Sequence, residues 1–261
     1  MTRTSAVPRR VLLLGVPMLL AATAAARAAV HITLDQPNIV PLPIAIPPFV
    51  GGQPNDQQVG RDIAGVISAD LERSGLFQPL DARAFIQQIA DVQTQPRFGD
   101  WRLINAQVLV TGGVEAQPDG RLKVEFRAWD VIAGEQLTGF AYTSTAQNWR
   151  RLAHIVADAI YKRVTGEDGY FDTRIVYISE SGPATRRTKR LAIMDQDGAN
   201  HKYLTDGRAL VLTPRFSPTR QEITYLSYAS GTPRVYLFNI DTGQQEVLGD
   251  FPGMTDRKSV V

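Results

Sequence analysis

The chain has 261 residues, with 28 Lys and Arg against 26 Asp and Glu, 3 His and no Cys. That length holds one large domain or two ordinary ones, and 44% hydrophobic with 21% charged residues is the make-up of a globular protein, not a disordered one. The missing cysteines exclude disulfide frameworks, thiolate zinc sites, CxxC redox chemistry and a Cys nucleophile, and so few histidines argue against a multi-histidine metal centre.

Residues 1–28 read as a secretory signal. Arg3, Arg9 and Arg10 form its positive start, Val11–Ala26 is apolar, and Ala26-Arg27-Ala28 offers a small-residue cleavage site between Ala28 and Ala29. The apolar run is short for a membrane span and ends in alanines, so the mature protein is expected to carry no transmembrane segment. Arg9-Arg10-Val11-Leu12-Leu13 loosely resembles a twin-arginine signal, leaving the export route open.

Val30, Ile32 and Leu34 alternate with His31, Thr33 and Asp35, the period of a strand with one wet face, in an arm over residues 29–38. Residues 39–49 are apolar but hold four prolines, so only Ile44-Ala45-Ile46 fits a central strand comfortably. Val59, Ile63, Val66, Ile67 and Leu71 fall at helical spacing, stopped by Ser74-Gly75. Phe77–Leu80 reads as a short strand, with Asp81 able to cap a following turn. Strands at Ala106–Gly112 and Leu122–Val131 join through Pro118-Asp119-Gly120, and Gln136–Thr145 reads as a third. Trp149, Leu152, Val156, Ala159, Ile160 and Val164 form a second helical stripe, ended at Thr165-Gly166. Residues 39–168 are therefore expected to be one mixed α/β domain.

From residue 169 helix signals stop. Arg174–Ser179, Arg190–Met194, Ile223–Ser227 and Val235–Ile240 are short strands, with hairpin turns at Asp197-Gly198 and Asp241-Thr242-Gly243. Ile175-Val-Tyr-Ile-Ser overlays Ile223-Thr-Tyr-Leu-Ser at a shift of 48, and Arg190-Leu-Ala-Ile-Met overlays Arg234-Val-Tyr-Leu-Phe at a shift of 44. That is the period of a β-propeller blade. Residues 169–255 hold about two blades, too few to close a ring, so the expected fold is an α/β domain followed by an incomplete all-β propeller.

The last six residues, 256–261, follow a turn at Phe251-Pro252-Gly253 and carry no strand or helix logic. They back-translate in frame to a common sequencing-adapter read, and are expected to be a non-native tail on a truncated gene. Four basic residues lie in 1–28, and two more, with one acid, lie in 256–261. The stretch between them has 22 basic and 25 acidic residues, a net charge of −3. The apparent basicity belongs to the ends, which removes the case for nucleic acid as a partner.

Several motifs together resemble the TolB family of the Tol–Pal envelope system. They are Asp70-Leu-Glu-Arg-Ser-Gly-Leu-Phe77, the run from Trp149 to Tyr161 continuing through Val164-Thr-Gly-Glu-Asp-Gly-Tyr-Phe171, Thr173-Arg-Ile-Val-Tyr177 and Pro214-Arg-Phe-Ser-Pro218. One departure is Thr219-Arg220, where the family usually has Asp-Gly in a surface turn. The resemblance implies WD40-like blades and a periplasmic, non-enzymatic scaffold without cofactor or metal. Such a scaffold links TolA of the inner membrane to the Pal lipoprotein, maintaining the outer membrane and drawing it inward at cell division. By position it implies a TolA-binding arm including Val30, His31, Ile32, Thr33, Leu34 and Asp35, with strand addition to a partner's sheet as its mode. It also implies Pal-facing loops at Asp206, Gly207 and Arg208 and at Phe251, Pro252, Gly253, Met254 and Thr255.

The rival is a propeller-bearing periplasmic peptidase whose catalytic domain is missing. No GxSxG nucleophile elbow occurs, and Ser179-Glu180-Ser181-Gly182 is only a loop after a strand. His154 reads as a packed or capping histidine, and His31 and His201 as solvated ones. Gly51-Gly52 and Gly112-Gly113 lack a following Lys-Ser/Thr for phosphate. Arg186-Arg-Thr-Lys-Arg190, the one basic cluster, reads as a solvated face. No Asp/Glu spacing singles out an acid–base couple.

Overall fold

The computed structural model describes residues 40–249. The signal, its cleavage point at Ala28 and Ala29, the arm at Val30–Asp35, the loop at residues 251–255 and the tail lie outside them.

The first part runs β1 (Leu42–Ala45), β2 (Val50–Gly51), α1 (Pro54–Arg73), β3 (Phe77–Pro79), α2 (Phe98–Leu103), β4 (Val108–Ala116), β5 (Arg121–Asp130), β6 (Glu135–Thr145) and α3 (Trp149–Thr165). One sheet has the order β3-β1-β4-β5-β6, with β2 also on β4. The pairs β3–β1, β1–β4 and β2–β4 are parallel, and β4–β5–β6 is an antiparallel meander.

Side chains alternate between the two faces of this sheet, as the pleat requires. Ile44, Val108, Val110, Val124 and Phe126 point into a core beneath α1 and α3, whose stripes Ile63, Ile67, Leu71 and Leu152, Val156, Ile160 close it. Ala45, Leu109 and Trp129 point the other way, onto Phe85, Phe98 and Trp101. That second face is covered by a long loop and the six-residue α2, which no periodicity announced. Gln87 ties the cover down, its Oε1 accepting from Trp101 Nε1 at 3.0 Å and from the Arg97 amide at 2.8 Å.

β1 starts two residues earlier than expected and includes Pro43 at the centre of the sheet. The proline is tolerated because of where its missing N–H points. Leu42 donates to Leu76 on the β3 side, whereas Pro43 presents only its carbonyl to the β4 side, accepting from Gln107 at 3.0 Å. The β4 ladder begins one residue later, at Ile44 opposite Val108. β4 also runs past its expected end at Gly112, to Ala116. The glycines there make room, not a turn: a Cβ on Gly112 would lie 2.3 Å from the ring of buried Phe49.

Both long helices end as the residues dictate. Gly75 and Gly166 adopt left-handed φ values of 73° and 82°, which only glycine reaches without strain. Asp81 caps a 3-10 turn by accepting from the Arg83 amide at 2.9 Å. The chain leaves α3 through a turn held by Asp158, whose carboxylate accepts from the amides of Phe171 and Asp172 at 2.7 and 3.1 Å. Phe171 is buried in the α/β core.

The second part is all β. A three-stranded sheet, β7 (Arg174–Ser181), β8 (Thr188–Asp195) and β9 (Lys202–Tyr203), is followed by a four-stranded one, β10 (Val211–Phe216), β11 (Glu222–Ser227), β12 (Arg234–Asn239) and β13 (Gln245–Gly249). All neighbours are antiparallel. The repeat read from the sequence holds: β7 and β8 correspond to β11 and β12. The strands β9, β10 and β13 were not foreseen as strands. The two sheets pack through Leu191, Ile193, Val211, Ile223, Tyr225 and Phe238 and close no barrel, as in an incomplete propeller. Pro214 sits at a register shift on the edge strand β10, beside Thr213 at φ 49°, where no ladder bond is lost. The Thr219-Arg220 departure lies in the exposed β10–β11 turn, both amides directed at Ser217 Oγ.

Candidate functional site

Candidate functional residues lie in two places, the loop between the sheets and the junction between the two parts.

Asp206, Gly207 and Arg208 lie between β9 and β10, on the chain crossing from one sheet to the next. Asp206 folds the turn by accepting from the Arg208 amide at 2.9 Å, and pairs with Arg208 Nε at 3.2 Å. Both side chains are largely exposed, so that pair contributes little stability and is available to a partner. Gly207 is left-handed (φ 83°) and close-packed; a Cβ there would lie 2.6 Å from Thr188 Cγ2. Beneath the loop, Arg190 donates to the Asp206 carbonyl and stacks its guanidinium 4.9 Å from the Tyr203 ring. The basic cluster is therefore partly engaged, with Lys189 paired to Glu180 at 2.7 Å. His201 is exposed and sits edge-on to Tyr203.

The junction holds what sequence reasoning missed. Asp70 of α1 and His154 of α3 are fully buried, their Oδ2 and Nδ1 atoms 2.5 Å apart. Asp70 Oδ1 also accepts from Arg73 Nη1 and from Gln196 Nε2, both at 2.9 Å. Asp197, in the β8–β9 turn, lies with Oδ2 3.9 Å from His154 Nε2 and accepts from Arg150 Nη2. So α1, α3 and the first blade meet at one charged cluster. A further ion pair between Arg151 and Asp172 (3.1 Å) lies on the exit from α3.

Desolvation works against charge on His154, but the Asp70 hydrogen bond and the fields of Asp70, Asp197 and Asp195 outweigh it and raise its pKa. Burial works the other way on Asp197, yet the Ala199 amide, Arg150 and His154 hold its carboxyl below the usual range. Burial raises Asp158 despite its two backbone donors.

Asp70, His154 and Asp197 each offer one metal-ligand atom, all within 4.8 Å of one another. They do not fit an ion as they stand. Asp70 is spent on His154, Arg73 and Gln196, and Arg150 occupies the Asp197 oxygen that faces the ring. Nor does the His–Asp pair form a hydrolytic couple, because Nε2 has no hydroxyl on it and the ring is 2% exposed. His154 is thus packed, as expected, but as a member of an ion cluster and not as a helix cap. One signal was available: Asp70 falls on the buried stripe of α1, three residues after Ile67, and a carboxylate on an apolar stripe demands a partner.

Comparison with known proteins covers both parts. Residues 30–137 match the family described as the TolB amino-terminal domain, and residues 161–257 match the TolB beta propeller domain. The chain is 62% identical over 235 residues to the Tol-Pal system protein TolB of Paramagnetospirillum magneticum, covering 90% of this chain and 53% of that protein. The crystal structure of TolB from Acinetobacter baumannii superposes with a TM-score of 0.69 at 29% identity, covering 83% of this chain and 51% of that one. The chain spans about half the length of these relatives. No helix among the described residues is long and apolar enough to cross a membrane. With both domain types matched in one collinear order, the chain belongs to the TolB family.

Proposed function

We propose that the protein is a non-enzymatic periplasmic scaffold of the Tol–Pal system that links TolA at the inner membrane to the Pal lipoprotein, for outer-membrane integrity and constriction at division. The observation that supports this reading is the collinear match of both domains to a Tol-Pal system protein at 62% identity. Residues 29–38 supply the TolA arm, whose alternating Val30, Ile32 and Leu34 suit addition of a strand to TolA. Asp206, Gly207 and Arg208, with the segment Phe251–Thr255, form the Pal-facing loops. The exposure of the Asp206–Arg208 pair suits a polar partner.

Pull-downs with purified TolA and Pal test this division of labour. Deleting residues 29–38 should weaken TolA binding by about tenfold or more and leave Pal binding intact. The double substitution Asp206→Ala/Arg208→Ala should do the reverse. Binding of both partners unchanged by both variants would overturn the assignment.

A further inference from the structure

The junction cluster has a geometry that is complete in only one protonation state. His154 donates Nδ1–H to Asp70, so in the neutral ring Nε2 is a bare lone pair. That atom is buried with no hydrogen-bond partner, and the group it faces, at 3.9 Å, is an Asp197 carboxylate oxygen. Two acceptors then confront each other in a water-poor site. Adding a proton to Nε2 converts the confrontation into a donor aimed at an acceptor, and the imidazolium bridges two carboxylates.

Those carboxylates belong to different domains. Asp70 is on α1 of the α/β domain; Asp197 is in the β8–β9 turn of the first blade. We propose that His154 is a proton-operated latch between the two domains, tight when the ring is charged and loosened when it is neutral. This goes beyond the scaffold role and holds whatever the partners are.

The surrounding charges decide whether the latch can work. From α1, Asp70 faces the ring and is itself paired with Arg73; from the blade come Asp197, paired with Arg150 of α3, and Asp195, while Asp158, one helical turn further along α3, is directed at the amides of Phe171 and Asp172. Gln196 adds a neutral bond from the blade to Asp70. Arg150 still holds Asp197 and Gln196 still holds Asp70, so the tie does not vanish when His154 is neutral. What the neutral ring loses is the one contact that joins both carboxylates at once. The fields of Asp70, Asp197 and Asp195 together raise the pKa of the ring. The latch is therefore fully tight below about pH 6.5, the ordinary histidine value, and loosens as pH climbs through the raised value.

The absence of cysteine makes the test clean. Spin labels at Leu103→Cys in the α/β domain and Thr219→Cys in the second blade, both exposed positions, report the inter-domain distance in the intact chain. The expected result is a narrow distribution at pH 5.5 that broadens or shifts by pH 9. An Asp197→Asn variant should show the broad distribution throughout. A distribution that is unchanged from pH 5.5 to 9 in the otherwise native chain would overturn the latch. A second readout needs no junction variant: with only three histidines, His31→Gln and His201→Gln leave the imidazole NMR signal of His154 alone. A midpoint above that of free histidine supports the proposal, and a midpoint at or below it refutes it.

Discussion

Replacing Phe49 with alanine should lower the stability of the α/β domain by about 3–5 kcal/mol, the range for emptying a large aromatic from a packed core. Two elements close on this residue, α1 on its backbone and β4 on its ring. It is 2% exposed, and its carbonyl carbon and oxygen lie so close to α1 that a Cβ on Gly60 would come within 2.2 Å of the oxygen. The ring edge fills the space left by Gly112 on β4. Gly112, which faces the ring, has no side chain to fill the space that the ring would leave. The three tryptophans, at 101, 129 and 149, all lie in this domain, and their fluorescence during urea unfolding reports it separately from the blades. A loss below about 1 kcal/mol would show that the site relaxes around the missing ring.

Asp70→Ala should be comparably severe, about 3–5 kcal/mol, because it strips a buried charge of its partner and leaves His154 and Gln196 facing a void. Its effect should also depend on pH in a defined direction. His154 has a raised pKa in the folded protein, so the native state holds a proton that the unfolded chain gives up first. The stabilisation from that proton is whole below about pH 6.5 and is lost as pH rises through the folded-state value. The penalty of Asp70→Ala should therefore be larger at pH 6 than at pH 9. Asp70→Asn, which keeps an acceptor but not the charge, should recover part of it. Urea unfolding at both pH values checks the sign, and a penalty that grows with pH would contradict the charge assignment.

The sequence carried the parts of this fold that rest on repetition. The stripes of α1 and α3, the meander of β5 and β6, and the doubled pattern of β7–β8 and β11–β12 each extend over enough residues for the period to speak. Single-residue arrangements were hidden. Pro43 looks like a strand breaker until the side to which each neighbour bonds is known. The short α2 has one turn and a half and is held by Trp101 and Gln87, not by its own pattern. Gly112, read as the end of a strand, lies inside β4 and makes room for a ring 63 residues earlier in the chain. The junction was least legible, since His154 meets a carboxylate 84 residues away and no spacing rule reaches that far. Asp206 and Arg208 are exposed, and the segment expected to bind TolA lies outside the described residues.

The junction also bears on how the chain assembles. Its inter-domain bonds join residues far apart, 47 for Arg150 to Asp197 and 126 for Gln196 to Asp70, whereas β4–β5–β6 and β7–β8 are hairpins of near neighbours. Closing such distant contacts has to wait until both partners are already ordered, so the transition state for folding should lack them. Weakening the tie, as in Asp197→Asn, should then quicken unfolding and leave the folding rate nearly unchanged. Stopped-flow chevrons check this, and a slowed folding arm would mean that the two domains dock before either is complete. A tie formed last is one that can be undone without dismantling either domain.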